Sequence, residues 1–149
     1  MKSTQKIPVV IDTREQTFWS FDPDVFDVTR RTLKTGDYSL VGLEDRVVIE
    51  RKNLSDLVQT VIQNWIRFRR ELHRLGAFDM SLIAVEANLS DIVEHRYDSE
   101  ANPESVLARM DECLVDHGVG VFLWGNAACA ERIAARMLKL CWNRYGGRT

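Results

Sequence analysis

A carboxylate and an ammonium lie two residues apart in the β-branched run Val48-Ile49-Glu50-Arg51-Lys52. The period of two of an extended strand puts Glu50 and Lys52 on one face and Arg51 on the other. A carboxylate and an amine aimed at one spot supply part of what phosphodiester hydrolysis needs. That reaction requires oxygen ligands for magnesium or manganese, neutralisation of charge developing on the phosphate, and a positioned water. One carboxylate is too few. Asp37 supplies a second if 36–41 and 46–52 pair as a hairpin turning near Gly42 to Asp45, with Gly36-Asp37 opposite Ile49-Glu50. Gly36 gives the backbone room to turn or to approach a ligand. Alone, Glu-x-Lys is also what an edge strand carries for solubility. The larger set, with Asp56 separated from Lys52 by three residues and Asp12-Thr13-Arg14-Glu15 upstream, tips the reading toward a site.

These residues need a scaffold, and hydrophobic periodicity predicts one. Pro8-Val-Val-Ile-Asp12 reads as a short strand ending on polar residues, with 26–30, 80–86 and 119–124 as further strands. A helix is expected to start at the N-cap Asn53 and run to Gly76. At 100° per residue, Leu57, Val58, Val61, Trp65, Phe68, Leu72 and Leu75 share one face, and Gln63, Arg67, Arg70 and Arg74 the opposite one. Helices are also expected over 88–94, over 103–117 behind the Asn102-Pro103 start signal, and over 126–145. Strands lead and then alternate with helices, which predicts a single α/β domain over 1–149.

Gly36-Asp37-Tyr38, Glu50-Arg51-Lys52 and Asp56 together resemble the G-D-x(n)-E-R-K-x(3)-D signature of XPF-type structure-selective endonucleases. Asp12-Thr13-Arg14-Glu15 is similar to their D-x-R-E strand, and Leu82-Ile-Ala-Val-Glu86 to a later strand. The resemblance implies a restriction-endonuclease-like core, a mixed sheet flanked by helices. In it Asp37 and Glu50 bind the metal, and Lys52 orients the attacking water or stabilises charge on the phosphate. Asp12 and Glu15 lie nearby as direct or water-mediated ligands, and Asp56 completes the signature. Asp56 is equally well placed as a helix-capping carboxylate, and Arg51 either contacts phosphate or pairs with a carboxylate. Many members of that family continue into a tandem helix-hairpin-helix module, which is not expected within these 149 residues. They also pair their nuclease domains, and the Ala-rich segment from Asn126 to Trp142 offers apolar surface for a homodimer or for the core.

Charge distribution bears on the partner. Residues 51–76 hold six Lys/Arg against two Asp/Glu, while the whole chain carries −2. A localised anion-binding face is therefore expected rather than an indiscriminate coat. Arg67, Arg70 and Arg74, with Arg14 near the acidic cluster, are candidates for DNA-backbone contact, because the guanidinium fork binds two phosphate oxygens. A merely solvated helix face is the competing reading. Phe18, Trp19 and Phe21 are candidates for base stacking or for the core. Cys113, Cys129 and Cys141 are widely spaced and form no C-x-x-C pair, and His73, His95 and His117 lack zinc-ligand spacing. A reduced, cytoplasmic protein with buried thiols is expected. No apolar run reaches the ~20 residues of a membrane span. The reading that follows is a magnesium- or manganese-dependent endonuclease acting on branched or distorted DNA. A non-catalytic DNA-binding scaffold is its first rival, and a phosphatase for small molecules, which would have no use for the arginine face, its second.

Overall fold

The structure is a computed structural model describing residues 5–146. Six strands form one sheet: β1 (Ile7–Asp12), β2 (Phe26–Arg31), β3 (Tyr38–Leu40), β4 (Val47–Lys52), β5 (Met80–Val85) and β6 (Gly120–Leu123). Their order is β2-β1-β3-β4-β5-β6. β1 runs parallel to β2 and antiparallel to β3, β3 is antiparallel to β4, and β4, β5 and β6 are parallel. This is the mixed sheet expected from the resemblance. β1, β3, β4 and β5 are interior strands, and their near-continuous burial reflects helices or loops covering both faces.

Two apolar layers sandwich the sheet. On one face α1 (Leu54–Ile62), α2 (Trp65–Leu75) and α4 (Pro103–His117) pack over Val48, Ile83 and Val85. On the other, α5 (Ala127–Tyr145) packs with Trp19 and Phe26 over Val9, Ile11, Tyr38 and Ile49. The short α3 (Leu89–Val93) follows β5. Caps set several of the starts: Asn53, Asn102 and Asn126 accept from Asp56, Glu104 and Cys129 N–H groups.

The single helix expected over 53–76 is two helices. Both Gln63 and Asn64 N–H groups bond to the Gln59 carbonyl at 3.0 Å, which breaks the regular ladder, and the chain restarts with Phe68 N–H on the Asn64 carbonyl. The break falls on the two exposed positions that the apolar stripe skips, so all seven stripe residues stay buried and the periodicity could not reveal it. Of the thiols, Cys113 and Cys141 are buried, whereas Cys129 is exposed in the first turn of α5. Trp19 is 1% exposed and stacks on Tyr38 with centroids 4.4 Å apart, which removes it from base stacking. Among the described residues no helix is long and apolar enough to cross a membrane.

Candidate active site

Asp37 sits where three strands meet. Its N–H donates to the Ile49 carbonyl at 3.0 Å, its carbonyl accepts the Asp12 N–H at 2.8 Å, and its Oδ2 accepts the Arg51 N–H at 2.7 Å. Tyr38 pairs with Ile49, so Asp37 falls opposite Glu50. Gly36 makes this approach possible. At φ +77° it is in the left-handed region, and a Cβ there would lie 2.0 Å from Val48 Cγ2.

Asp37 and Glu50 line one cavity of about 310 Å3, together with Asp12, Glu15, Glu71 and Arg74. Arg14 and Lys34 also border it. Lys52 Nζ lies 3.9 Å from Glu50 Oε1, as the period of two requires. Glu50 Oε2 is buried and makes no hydrogen bond. Burial, with the Glu71 carboxyl beside it, pushes the Glu50 carboxyl well above the usual range, although Lys52 pulls against them. Burial likewise raises Asp37 to about 6 against the Arg51 N–H bond and Lys52. Both groups thus sit where negative charge is costly without a cation.

Asp12, 1% exposed, spends both oxygens within the protein. Oδ2 accepts from Arg14 Nε at 2.7 Å and Oδ1 from the Leu33 N–H at 2.9 Å. Burial raises its pKa, but these bonds and the Arg14 charge together hold the carboxyl below the ordinary value. Glu15 accepts from the Tyr38 hydroxyl at 3.0 Å and pairs with Arg51 at 3.5 Å.

Arg51 faces the other layer. Its guanidinium bonds Glu86 and the Thr17 carbonyl and lies 5.0 Å from the Trp19 ring centre. Arg30 reaches the same 12–15 turn from β2, donating to the Thr13 carbonyl at 3.1 Å and the Glu15 carbonyl at 2.6 Å. The D-T-R-E turn is therefore fixed from two sides. Asp56 is exposed and lines a separate cavity of about 230 Å3 with Glu15, Arg51, Lys52 and Glu86. Arg67 lines a third, with Glu50, Lys52, Asn64, Phe68 and Glu71.

Sequence reading missed Glu71. It falls at the border between the apolar and basic faces, at the edge where α2 meets the sheet, and it is the one acid in α2. That border position was the available signal; its meeting with Glu50 depends on how α2 packs over β4.

The residues present suit a hard divalent ion. Two half-buried carboxylates, one with a buried oxygen lacking any partner, match the one or two that magnesium commonly takes, the remaining ligands being water and phosphate oxygens. Among the described residues no three acidic, His or Cys groups converge closely enough to form a complete ligand set by themselves.

Comparison with known proteins agrees with this architecture. The chain matches the fold of XPF from Aeropyrum pernix with TM-score 0.70 and 24% identity, over 92% of this chain and 66% of that one. It matches XPF from Aeropyrum pernix in complex with DNA with TM-score 0.70 and 23% identity, over 97% and 69%. A Methanocaldococcus jannaschii protein named as an ATP-dependent RNA helicase is 28% identical over 135 residues. That stretch is 90% of this chain but only 15% of the helicase. The ERCC4 domain model matches residues 11–137, a span that runs from the end of β1 into α5 and contains the whole acid cavity. With that span matched and the XPF fold shared, the chain belongs to the ERCC4 domain family and has the XPF-type nuclease architecture.

Proposed function

We propose that this chain is a divalent-metal-dependent endodeoxyribonuclease that hydrolyses one phosphodiester bond in branched or otherwise distorted DNA. The observation that carries this reading is the cavity where Asp37 and Glu50 meet beside Lys52, with one Glu50 oxygen buried and unpartnered. Asp37 and Glu50 hold magnesium or manganese, which when bound polarises the phosphate and acidifies water. Lys52 orients the attacking water and offsets charge on the phosphate; an ammonium has no lone pair for the metal. Asp12 and Glu15, whose oxygens already serve protein donors, act through water. Arg51 holds the 12–17 turn and, through its N–H, the Asp37 carboxylate. Asp56 acts at the mouth of the neighbouring cavity. Arg14, Arg67, Arg70 and Arg74 contact the DNA backbone. This activity places the protein with DNA inside the cell. A twofold dimer through α5 would present two such sites at fixed spacing.

End-labelled flap, fork, bubble, duplex and single-stranded DNA, with an RNA fork alongside, incubated with magnesium or manganese test the reading. Cleavage of the branched DNA by wild type and its loss in Asp37→Asn and Glu50→Gln are expected. Tight DNA binding without cleavage of any substrate would favour the scaffold instead.

A further inference from the structure

Beyond the acid cavity, α2 and the end of α4 border a wide, open groove of about 510 Å3. Ile66, Arg69, Arg70, His73 and Arg74 line it from α2 and His117 from α4. Gly76 makes this junction possible, since a Cβ there would lie 2.7 Å from the His117 carbonyl oxygen. The cationic side chains are uncommitted. Among the described residues Arg69, Arg70 and Arg74 form no ion pair, although Arg14, Arg46, Arg51, Arg96 and Arg109 all do. Helix-dipole compensation accounts for His73, Arg74 and His117, which sit in the last turns of α2 and α4. It does not account for Arg69 and Arg70, a turn further back. Arg74 lines both this groove and the acid cavity, so the two adjoin at its side chain.

We infer that this groove is a phosphate-binding track that receives the DNA strand as it leaves the acid cavity past Arg74, with Arg69, His73 and His117 as contact residues. From Arg69 to Arg74 the helix rises ~7.5 Å. At ~3.4 Å per base-pair step this covers about two phosphates next to the bond being cut. The track rests on the endonuclease reading for its direction, but its affinity is measurable without cleavage.

Binding of a fluorescein-labelled fork to the full chain, by anisotropy in EDTA between 50 and 200 mM salt, tests it. Arg69→Gln should lower the log–log salt slope by ~0.7 to 0.9, and adding His117→Gln should weaken binding further. Arg136→Gln, the same charge loss on α5 across the sheet, should leave the slope unchanged. Equal slope losses in Arg69→Gln and Arg136→Gln would show only bulk charge and overturn the track, as would an unchanged slope in Arg69→Gln. A fork carrying neutral methylphosphonates at successive pairs of positions supplies the second test. One pair should weaken wild type and make no further difference to Arg69→Gln, while additive losses at every position would mean that the groove holds something other than this strand. Thermal melts of Arg69→Gln and Arg136→Gln, both at exposed sites, should match wild type. If the track is wrong, wild type still cleaves with magnesium; if the endonuclease reading is wrong, cleavage is absent while the slope is read in EDTA regardless.

Discussion

Asp37 and Glu50 are half-buried, and the water they lose disfavours their own ionisation, which separates stability from activity. Asp37 titrates at 3.8 when free and at about 6 in the fold. Its contribution to stability is complete below pH 3.8 and is lost as pH rises through about 6, on the order of 3 kcal/mol at 1.36 kcal/mol per pH unit. Glu50 adds a loss of the same sign, beginning at its ordinary value of 4.5 and extending upward. In EDTA, Asp37→Asn should therefore be more stable than wild type at pH 7 and converge with it near pH 4 on urea denaturation. An Asn variant weaker than wild type at pH 7 would contradict this. Magnesium at 100 times its Kd should return about 2.7 kcal/mol to wild type and little to Asp37→Asn, read as a shift in the urea midpoint. Arg51 acts differently. Its loss leaves Glu15 and Glu86, which are 19% and 17% exposed, without their cation. Arg51→Ala should cost about 3 kcal/mol, and Arg51→Lys should not rescue it fully because an ammonium cannot reproduce the planar fork.

At the scale of elements, two asparagines that look alike in sequence differ in the fold. Asn53 caps α1 through its side chain, accepting from Asp56 N–H at 2.8 Å, while Asn64 precedes α2 without a side-chain cap bond. Asn53→Ala should destabilise by ~1 kcal/mol and Asn64→Ala by clearly less, measured by chemical denaturation. Equal costs would mean that the break between α1 and α2 is held by Asn64 after all. Gly36 is the tighter constraint, since Ala would need both a left-handed backbone and a displaced Val48. Gly36→Ala should destabilise by about 2 kcal/mol or more and reduce cleavage, because the neighbouring peptide carries Asp37.

For the whole molecule the open variable is assembly. α5 turns Ala130, Ala134, Leu138 and Cys141 into the core, yet leaves Leu140 51% exposed. A twofold contact through this helix would use the same residue on both copies, so Leu140→Glu should disrupt it twice. Light scattering across a concentration series should show a mass above 17.2 kDa for wild type that falls toward 17.2 kDa in the variant. Wild type remaining at the monomer mass well above the concentration that supports cleavage would show that one copy suffices.

The sequence alone determined much of the site, because its chemistry is local. Period-two alternation set Glu50 and Lys52 together and Arg51 apart, and β-branched runs and Asn caps located most strands and helices to within a residue or two. The hairpin expected around Gly42 to Asp45 made the pairing of Asp37 with Glu50 conditional on its register, and the fold supplies that register with Tyr38 opposite Ile49. Tertiary structure decided the rest, where residues far apart in the chain compete for the same groups. The order β2-β1-β3-β4-β5-β6 brings Asp12 to Asp37 and Glu86 to Arg51, neither of which periodicity addresses. Packing of α2 over β4 set Glu71 beside Glu50, and Gly76 admitted the end of α4 to border the basic groove. A periodic pattern reports which face of an element is buried; what it is buried against depends on contacts that only the folded chain makes.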